Sequence, residues 1–214
     1  MTNTNYPKAW SRFIIQNRAL KDEVLLECDP LIKQCIENFG ASSRWSARFR
    51  LAKSFQSLNV GDAYAGTDTP DMYSAITRIF LVYSSFESYC KMLGIRCTDE
   101  CKVAFLQNNS SQEDILCEIR SKLDPKYRLF QFLASHLRGK NKLMMEEFIA
   151  GKNVNISFLA KAIRHVFAHG ILTANPGNLS PKKIDEISQK LSKFLLDCMD
   201  NHFDHLVPPT NKTM

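Results

Sequence analysis

Residues 157–170 have the sequence Ser-Phe-Leu-Ala-Lys-Ala-Ile-Arg-His-Val-Phe-Ala-His-Gly, the stretch around which the rest of the chain is organised. Its apolar residues recur at helical spacing, which predicts one buried face; they are Leu159, Ala162, Ile163 and Val166. Ser157 is a favourable N-cap, and Gly170 suits the left-handed conformation that often ends a helix. We therefore expect one helix over 157–170 that packs against a core through this face.

Near the C-terminal end of this helix, the polar residues are Arg164, His165 and His169. An arginine followed by four residues and a histidine, in the setting Ile-Arg-…-Ala-His-Gly, resembles the HEPN superfamily. The resemblance implies an all-α domain, and many members of the superfamily are RNases that need no metal ion. It also implies a homodimer in which the two motif helices face each other.

Arg164 and His169 have the chemistry that metal-free RNA cleavage needs. Histidine can accept or donate a proton near neutral pH, and arginine can stabilise the charge of a phosphorane. The two residues are about 140° apart around an ideal helix, so one chain does not direct both at one phosphate without help. A two-fold dimer can supply one residue from each chain. Phe167 lies off the main apolar face, and we expect it to contact the partner across that axis.

His165 shares a helix face with His169 because the two residues are four positions apart. Many members of the superfamily have Asn or Asp at this position, so the role of His165 stays open between a second catalytic histidine and a phosphate contact. An alternative for both histidines is a helix-end role without catalysis. An imidazolium near a helix C-terminus is favoured by roughly 0.3–1 kcal/mol.

The remaining chain shows helical periodicity and no convincing alternating strand, which predicts an all-α bundle. The expected helices cover residues 7–20, 22–39 with a break at Pro30, 42–58, 70–93, 111–123, 125–137, 141–150 and 181–203. We expect a HEPN-like bundle over residues 69–205, an N-terminal helical layer over 1–60 packed on it, and a tail over 206–214. Glu87 lies on the long helix over 70–93. The resemblance implies a polar or acidic residue there that faces the motif helix, so Glu87 is a candidate supporting residue; the alternative is an ordinary surface glutamate.

A second candidate surface is the predicted helix over 42–58. It carries four cations interleaved with aromatic residues: Arg44, Arg48, Arg50 and Lys53. A basic face with aromatic side chains suits RNA binding. The alternative, which we favour from the sequence alone, is a solvated face on a helix that buries its aromatic side chains.

Composition excludes several classes of protein. No apolar run is long enough to span a bilayer, and the first seven residues lack the basic start and apolar region of a signal peptide. We therefore expect a cytoplasmic protein without membrane contact, in which the seven cysteines are reduced. The formal net charge of +6 is compatible with a polyanionic partner but does not demand one.

Two groups of residues have spacing that is only partly compatible with zinc. Cys97 and Cys101 lack a second pair of ligands, and the group Cys198, His202, Asp204 and His205 lies at the end of the last helix. The glycine-rich phosphate-binding motifs and the Gly-x-Ser-x-Gly motif are missing from the sequence. We expect neither a metal ion nor a cofactor.

These observations predict a HEPN-like metal-independent endoribonuclease, a toxin or defence effector that acts on RNA and has an antitoxin as a partner. Arg164, His169 and His165 would form the catalytic site. The alternative is a non-catalytic helical module that uses the same site to bind a nucleotide or a protein.

Overall fold

The computed structural model describes residues 5–19, 29–64, 67–97, 111–170 and 176–209. All regular structure in these ranges is helical, which confirms the predicted all-α class. The α-helices are α1 Trp10–Ala19, α2 Pro30–Glu37, α3 Phe39–Ser54, α4 Thr69–Met92, α5 Ser111–Glu118, α6 Arg128–His136, α7 Gly139–Ile149, α8 Ile156–Ala168 and α9 Pro181–Leu206. A π-helical turn, Ile119–Leu123, continues α5, and single 3₁₀ turns cover Asp62–Tyr64 and Pro176–Asn178. None of the described helices combines the length and apolar character that crossing a membrane requires.

The two longest helices, α4 and α9, form the most extensive helix pair in the described structure. The Ser188 hydroxyl on α9 donates to the Ala75 carbonyl oxygen on α4 across 2.8 Å. α3 covers one side of this pair through the buried ring of Trp45, whose centroid lies 4.6 Å from that of Tyr89 and 4.7 Å from that of Phe203. α8 packs against both α4 and α9. The helix that carries the motif is therefore anchored to the centre of the bundle.

The N-terminal helices contribute to the same apolar cluster as the rest of the chain. Phe13 on α1 is fully buried, and its ring centroid lies 5.4 Å from that of Phe203 on α9. Arg12 pairs with Asp204 across 3.0 Å at the edge of this contact. Residues 5–19 and 29–54 thus share one core with the helices that follow them.

Side-chain caps move two helix starts away from their predicted positions. Asn155 Oδ1 accepts the backbone N–H of Ser157 at 2.9 Å, so Asn155 is the N-cap of α8 and the predicted N-cap role of Ser157 is wrong. Asn38 Oδ1 likewise accepts the N–H of Ala41 at 3.3 Å and caps α3. Gly40 consequently lies inside α3 and does not end α2. In both cases the asparagine side chain accepts an N–H from the first turn, where the amides lack the carbonyl partner four residues earlier in the helix.

The start of α6 is set by a buried carboxylate. Asp124 accepts the backbone N–H groups of Arg128 at 2.7 Å and Leu129 at 2.9 Å. Burial raises the pKa of Asp124, and these hydrogen bonds oppose that rise. The helix therefore begins at Arg128, and the predicted start at Pro125 is wrong. The carboxylate accepts the amides of residues 128 and 129, which belong to the first turn of the helix.

Gly177 packs directly on the beginning of α6. Its φ of 64° lies in the left-handed region, and a Cβ atom at this position would overlap the Arg128 carbonyl group. Gly151 also has a positive φ, 91°, but a Cβ atom there would meet nothing within 4 Å. The two glycines therefore share a left-handed backbone conformation, but only Gly177 lacks room for a Cβ atom.

Replacing each glycine with alanine separates these effects. Both variants should lose roughly 1–2 kcal/mol from the left-handed conformation, and Gly177→Ala should lose about 1–3 kcal/mol more from the overlap. Urea unfolding of the two variants and the unmodified protein measures the difference. Equal losses would show that Gly177 is required only for its backbone angles and that the start of α6 can move.

Candidate active site on helix α8

Helix α8 is buried around most of its circumference. The buried residues are Ile156, Ser157, Phe158, Leu159, Ala160, Ala162, Ile163, Val166 and Phe167. The residues left on the accessible strip are Lys161, Arg164, His165 and Ala168, and His169 follows as the C-cap. Every polar side chain on this strip is a cation or an imidazole. Burial of the apolar side therefore concentrates positive charge on one surface of the protein.

The two histidines meet at the C-terminal end of α8. Their ring centroids are 4.5 Å apart with the rings nearly perpendicular. The helix ends there because Gly170, with φ 82°, adopts the left-handed conformation, as the sequence predicts. Burial lowers the pKa of His165, and the nearby His169, Lys161 and Arg164 lower that pKa further. The neutral form of His165 is thereby favoured, and a neutral imidazole can accept a proton.

His165 and His169 line a cleft of about 380 Å³ with residues from two other helices. We call it the histidine cleft, and its lining residues are His136, Arg138, Asn141, His165, Val166 and His169. His136 is the last residue of α6, and Arg138 is the N-cap of α7. The sequence patterns did not identify His136, Arg138 and Asn141 as site residues. The signal available in the sequence was the run of basic residues that follows His136, from Arg138 to Lys142.

His136 is held in one orientation by its own helix. Its Nδ1 lies 2.8 Å from the Phe132 carbonyl oxygen, and its ring centroid is 4.5 Å from that of Phe132. A carbonyl oxygen can only accept a hydrogen bond, so Nδ1 carries the proton. In the neutral ring Nε2 then has a free lone pair.

Arg164 lies on the opposite edge of the strip and does not line the histidine cleft. Its Nη1 is 3.2 Å from Glu87 Oε1, and its guanidinium carbon is 5.4 Å from the ring centroid of Tyr83. Burial raises the pKa of Tyr83, which keeps the ring uncharged beneath the guanidinium. Glu87 therefore faces Arg164 from α4, the position proposed for it from the sequence. Both side chains are 36% exposed, so the pair contributes only about 0–1 kcal/mol to folding.

A second cleft of about 270 Å³ adjoins the first, and Asn141 lines both. The Lys161 ammonium donates to Asn141 Oδ1 across 3.1 Å, which leaves the amide NH₂ of Asn141 as a donor. Lys140 and Tyr83 also line this second cleft. Among the residues that line the two clefts, all of them in the described part of the chain, none is Asp or Glu. The combined surface thus favours an anionic ligand.

Phe167 is not available to a partner chain. It is 3% exposed, and its ring centroid lies 6.5 Å from that of Phe132 on α6. The expected role of Phe167 across a dimer axis is therefore wrong. The helical spacing of α8 could not reveal that α6 covers this side of the helix.

Within the part of the chain that the structure describes, three of the four cations of α3 are seen with partners. Arg48 donates to the Ser88 hydroxyl, Arg50 donates to the Tyr6 hydroxyl, and Lys53 pairs with Asp200 across 3.5 Å. Arg44 is exposed. A phosphate would have to compete with these contacts for three of the four cations. The aromatic residues Trp45 and Phe49 of this helix are fully buried and do not offer a stacking surface.

A larger cavity, about 590 Å³, lies away from α8 between α3, α4 and α9. Its charged groups include the ion pairs Arg78–Asp185 and Lys193–Asp197. None of the described residues that line it is a histidine or a cysteine. The smaller histidine cleft is therefore the better candidate for chemistry, because it combines three imidazoles with an arginine.

The C-terminal histidines do not form a metal site within the described residues, where no group of three or more His, Cys, Asp or Glu side chains could hold a metal ion. His202 Nδ1 instead lies 2.7 Å from the Tyr89 hydroxyl on α4. The other pair, Cys97 and Cys101, cannot be assessed because Cys101 lies outside the described residues. No protein-family model, curated protein or solved structure matches this chain.

The burial of His202 predicts a pH dependence of stability. Burial lowers the pKa of His202, as does the nearby His205, while Asp29 opposes the shift. Below the ordinary histidine pKa of about 6.5 the unfolded chain binds this proton more readily than the folded chain. His202 therefore stabilises the fold fully above that pH, and this contribution is lost as the pH falls through the lower pKa of the folded state.

The test is the free energy of urea unfolding between pH 7.5 and pH 5. His202→Gln should reduce the fall in stability toward pH 5, since each proton contributes at most about 1.4 kcal/mol per pH unit. The matched control is His136→Gln, because His136 is an exposed histidine on a different helix, α6, and is not among the groups that shift the pKa of His202. An identical pH profile for His202→Gln and the unmodified protein would contradict the assignment.

Proposed function

We propose that this protein is a HEPN-like, metal-independent endoribonuclease whose active site includes the histidine cleft. The observation that carries the proposal is the meeting of His165 and His169 with Arg138 in one cleft, whose described lining residues include no carboxylate. Imidazoles supply proton transfer, and arginine supplies charge stabilisation. The resemblance of residues 164–169 to the HEPN motif supports the same chemistry.

The reaction we propose is transesterification within one RNA strand. The 2′-oxygen of a ribose attacks the adjacent phosphorus, its proton passes to an imidazole of α8, and the bond from phosphorus to the 5′-oxygen breaks. A second protonated group gives a proton to the departing 5′-oxygen. One proton is taken and one is given, so the products are a 2′,3′-cyclic phosphate and a 5′-hydroxyl. The lowered pKa of His165 favours its neutral imidazole, which can accept the proton in the first of these steps. His169 lies in contact with that ring.

Single-stranded RNA is the substrate class that this surface favours. The two adjoining clefts place Lys140, Lys161 and Arg138 around the imidazoles, and such cations attract a phosphate backbone.

The HEPN resemblance favours a role as a toxin or defence effector that has an antitoxin as its partner. Expression of the unmodified chain, but not of His169→Ala, should then arrest bacterial growth, and continued growth with both would speak against a toxin.

The second candidate is a non-catalytic module that binds a nucleotide or a protein through the same surface. The observation that favours it is the position of Arg164, which pairs with Glu87 outside the histidine cleft. Within one chain, Arg164 and His169 thus lie on different surfaces. A homodimer with its two-fold axis beside α8 reconciles this with catalysis, because the partner's motif helix can then supply the arginine.

Activity should not depend on a divalent metal ion. We expect RNA cleavage to persist in excess EDTA and to leave 2′,3′-cyclic phosphate ends. His169→Ala should reduce the rate roughly 100- to 10,000-fold, the usual contribution of a general acid or base. The control is Lys142→Ala, since Lys142 is exposed on α7 and outside both clefts. Activity that is lost on chelation and restored by Mg²⁺ or Zn²⁺ would overturn the mechanism.

A shared site can be tested by mixing two inactive variants. Arg164→Ala chains and His169→Ala chains are each expected to be inactive, and a mixed dimer contains one site with both functional residues. Mixed samples that have exchanged subunits should therefore recover part of the activity. A protein that sediments as a monomer at micromolar concentration, or a mixed dimer that stays inactive while both variants fold, would contradict a site built from two chains.

A further inference from the structure

We infer that His136 is the general acid of the proposed reaction and protonates the departing 5′-oxygen. The inference rests on the proposed ribonuclease function and adds a residue that the Arg164–His169 motif does not contain. Two observations lead to it. The rings of His165 and His169 are in contact, and His136 lines the same cleft from a different helix, α6.

Displacement at phosphorus places the attacking 2′-oxygen and the departing 5′-oxygen on opposite sides of the phosphorus atom. The group that takes the first proton and the group that gives the second must therefore also lie on opposite sides of the bound phosphate. His165 and His169 have ring centroids only 4.5 Å apart, in direct contact. A phosphate cannot enter between two rings that touch, so this pair serves one side of the phosphorus.

The opposite side needs a donor from another helix. The chain contains five histidines, and three of them line the histidine cleft. Of the remaining two, His202 contacts Tyr89, and His205 Nδ1 lies 2.6 Å from the Asn201 carbonyl oxygen of its own helix. His136 is thus the histidine that enters the cleft from a helix other than α8.

The hydrogen bonding of His136 prepares one ring nitrogen for proton transfer. Nδ1 donates to the Phe132 carbonyl oxygen at 2.8 Å, and the ring lies beside Phe132. The exchangeable proton is consequently the one on Nε2 of the protonated ring. The same hydrogen bond limits rotation of the ring, so that Nε2 keeps one direction.

The neighbouring residues support the same assignment. Arg138 lies two residues beyond His136 and lines the same cleft, so its guanidinium can hold the non-bridging phosphate oxygens from the same wall. Asn141, in the first turn of α7, adds an amide donor. His136 therefore meets the phosphate beside groups that would orient it.

The test compares two substrates whose leaving groups differ in the need for an acid. A ribonucleoside 3′-(ribonucleoside 5′-phosphate) has a 5′-alkoxide leaving group that must be protonated. Uridine 3′-(4-nitrophenyl phosphate) releases nitrophenoxide, which leaves without a proton. The test variant is His136→Asn, because an asparagine amide can keep the hydrogen bond to the Phe132 carbonyl while it removes Nε2. His205→Asn is the matched control on an exposed histidine outside the cleft.

We expect His136→Asn to slow cleavage of the dinucleotide roughly 100-fold or more and to leave the nitrophenyl substrate within about 10-fold of the unmodified rate. Variants of the α8 pair should lose activity on both substrates, since both reactions need the general base. Equal loss on the two substrates, or no loss on the dinucleotide, would overturn the role of His136 while the ribonuclease function stands. An unmodified protein that cleaves neither substrate would overturn the proposed function itself.

Discussion

The burial of helix α8 is the constraint on which the rest of the candidate site depends. Nine of its residues pack against neighbouring helices, and each large aliphatic or aromatic side chain among them contributes about 1.5–3 kcal/mol of hydrophobic stabilisation. The helix therefore cannot rotate about its axis without exposing that surface. Its cationic and imidazole side chains are confined to one strip, and their positions on that strip follow from helical geometry alone.

This constraint explains why Arg164 and His169, the two residues of the motif, have different surroundings. Arg164 lies at the edge of the strip that faces α4, where Glu87 and the ring of Tyr83 hold it. His169 lies at the edge that faces α6 and α7, where His136 and Arg138 complete a cleft. The two edges can act on one phosphate only across a dimer axis, whereas the histidine cleft is formed within one chain. In the proposed mechanism, proton transfer therefore needs the residues of one chain, whereas the contribution of Arg164 needs a partner.

The sequence predicted the long helices well because their apolar spacing is sustained over several turns. α4, α8 and α9 were expected at nearly the observed positions, and the position of Glu87 opposite Arg164 followed from the HEPN resemblance. Helix starts were less predictable, since Asn155 and Asp124 act through side-chain oxygens that accept amides two to five residues further on. The cleft residues His136 and Arg138 were missed for another reason. Their approach to α8 is a tertiary contact between helices, and no local pattern encodes it. Phe167 was misjudged for the same reason.

The most direct test of the central claim concerns the nucleophile. A DNA oligonucleotide that contains a single ribonucleotide offers one 2′-hydroxyl, and the account predicts a single cut, on the 3′ side of that nucleotide, in the presence of EDTA. The product should carry a 2′,3′-cyclic phosphate, and a 2′-O-methyl group at the same position should prevent the cut. Cleavage at deoxyribonucleotides, or cleavage of the 2′-O-methyl substrate, would show that the 2′-oxygen is not the nucleophile and would contradict the account.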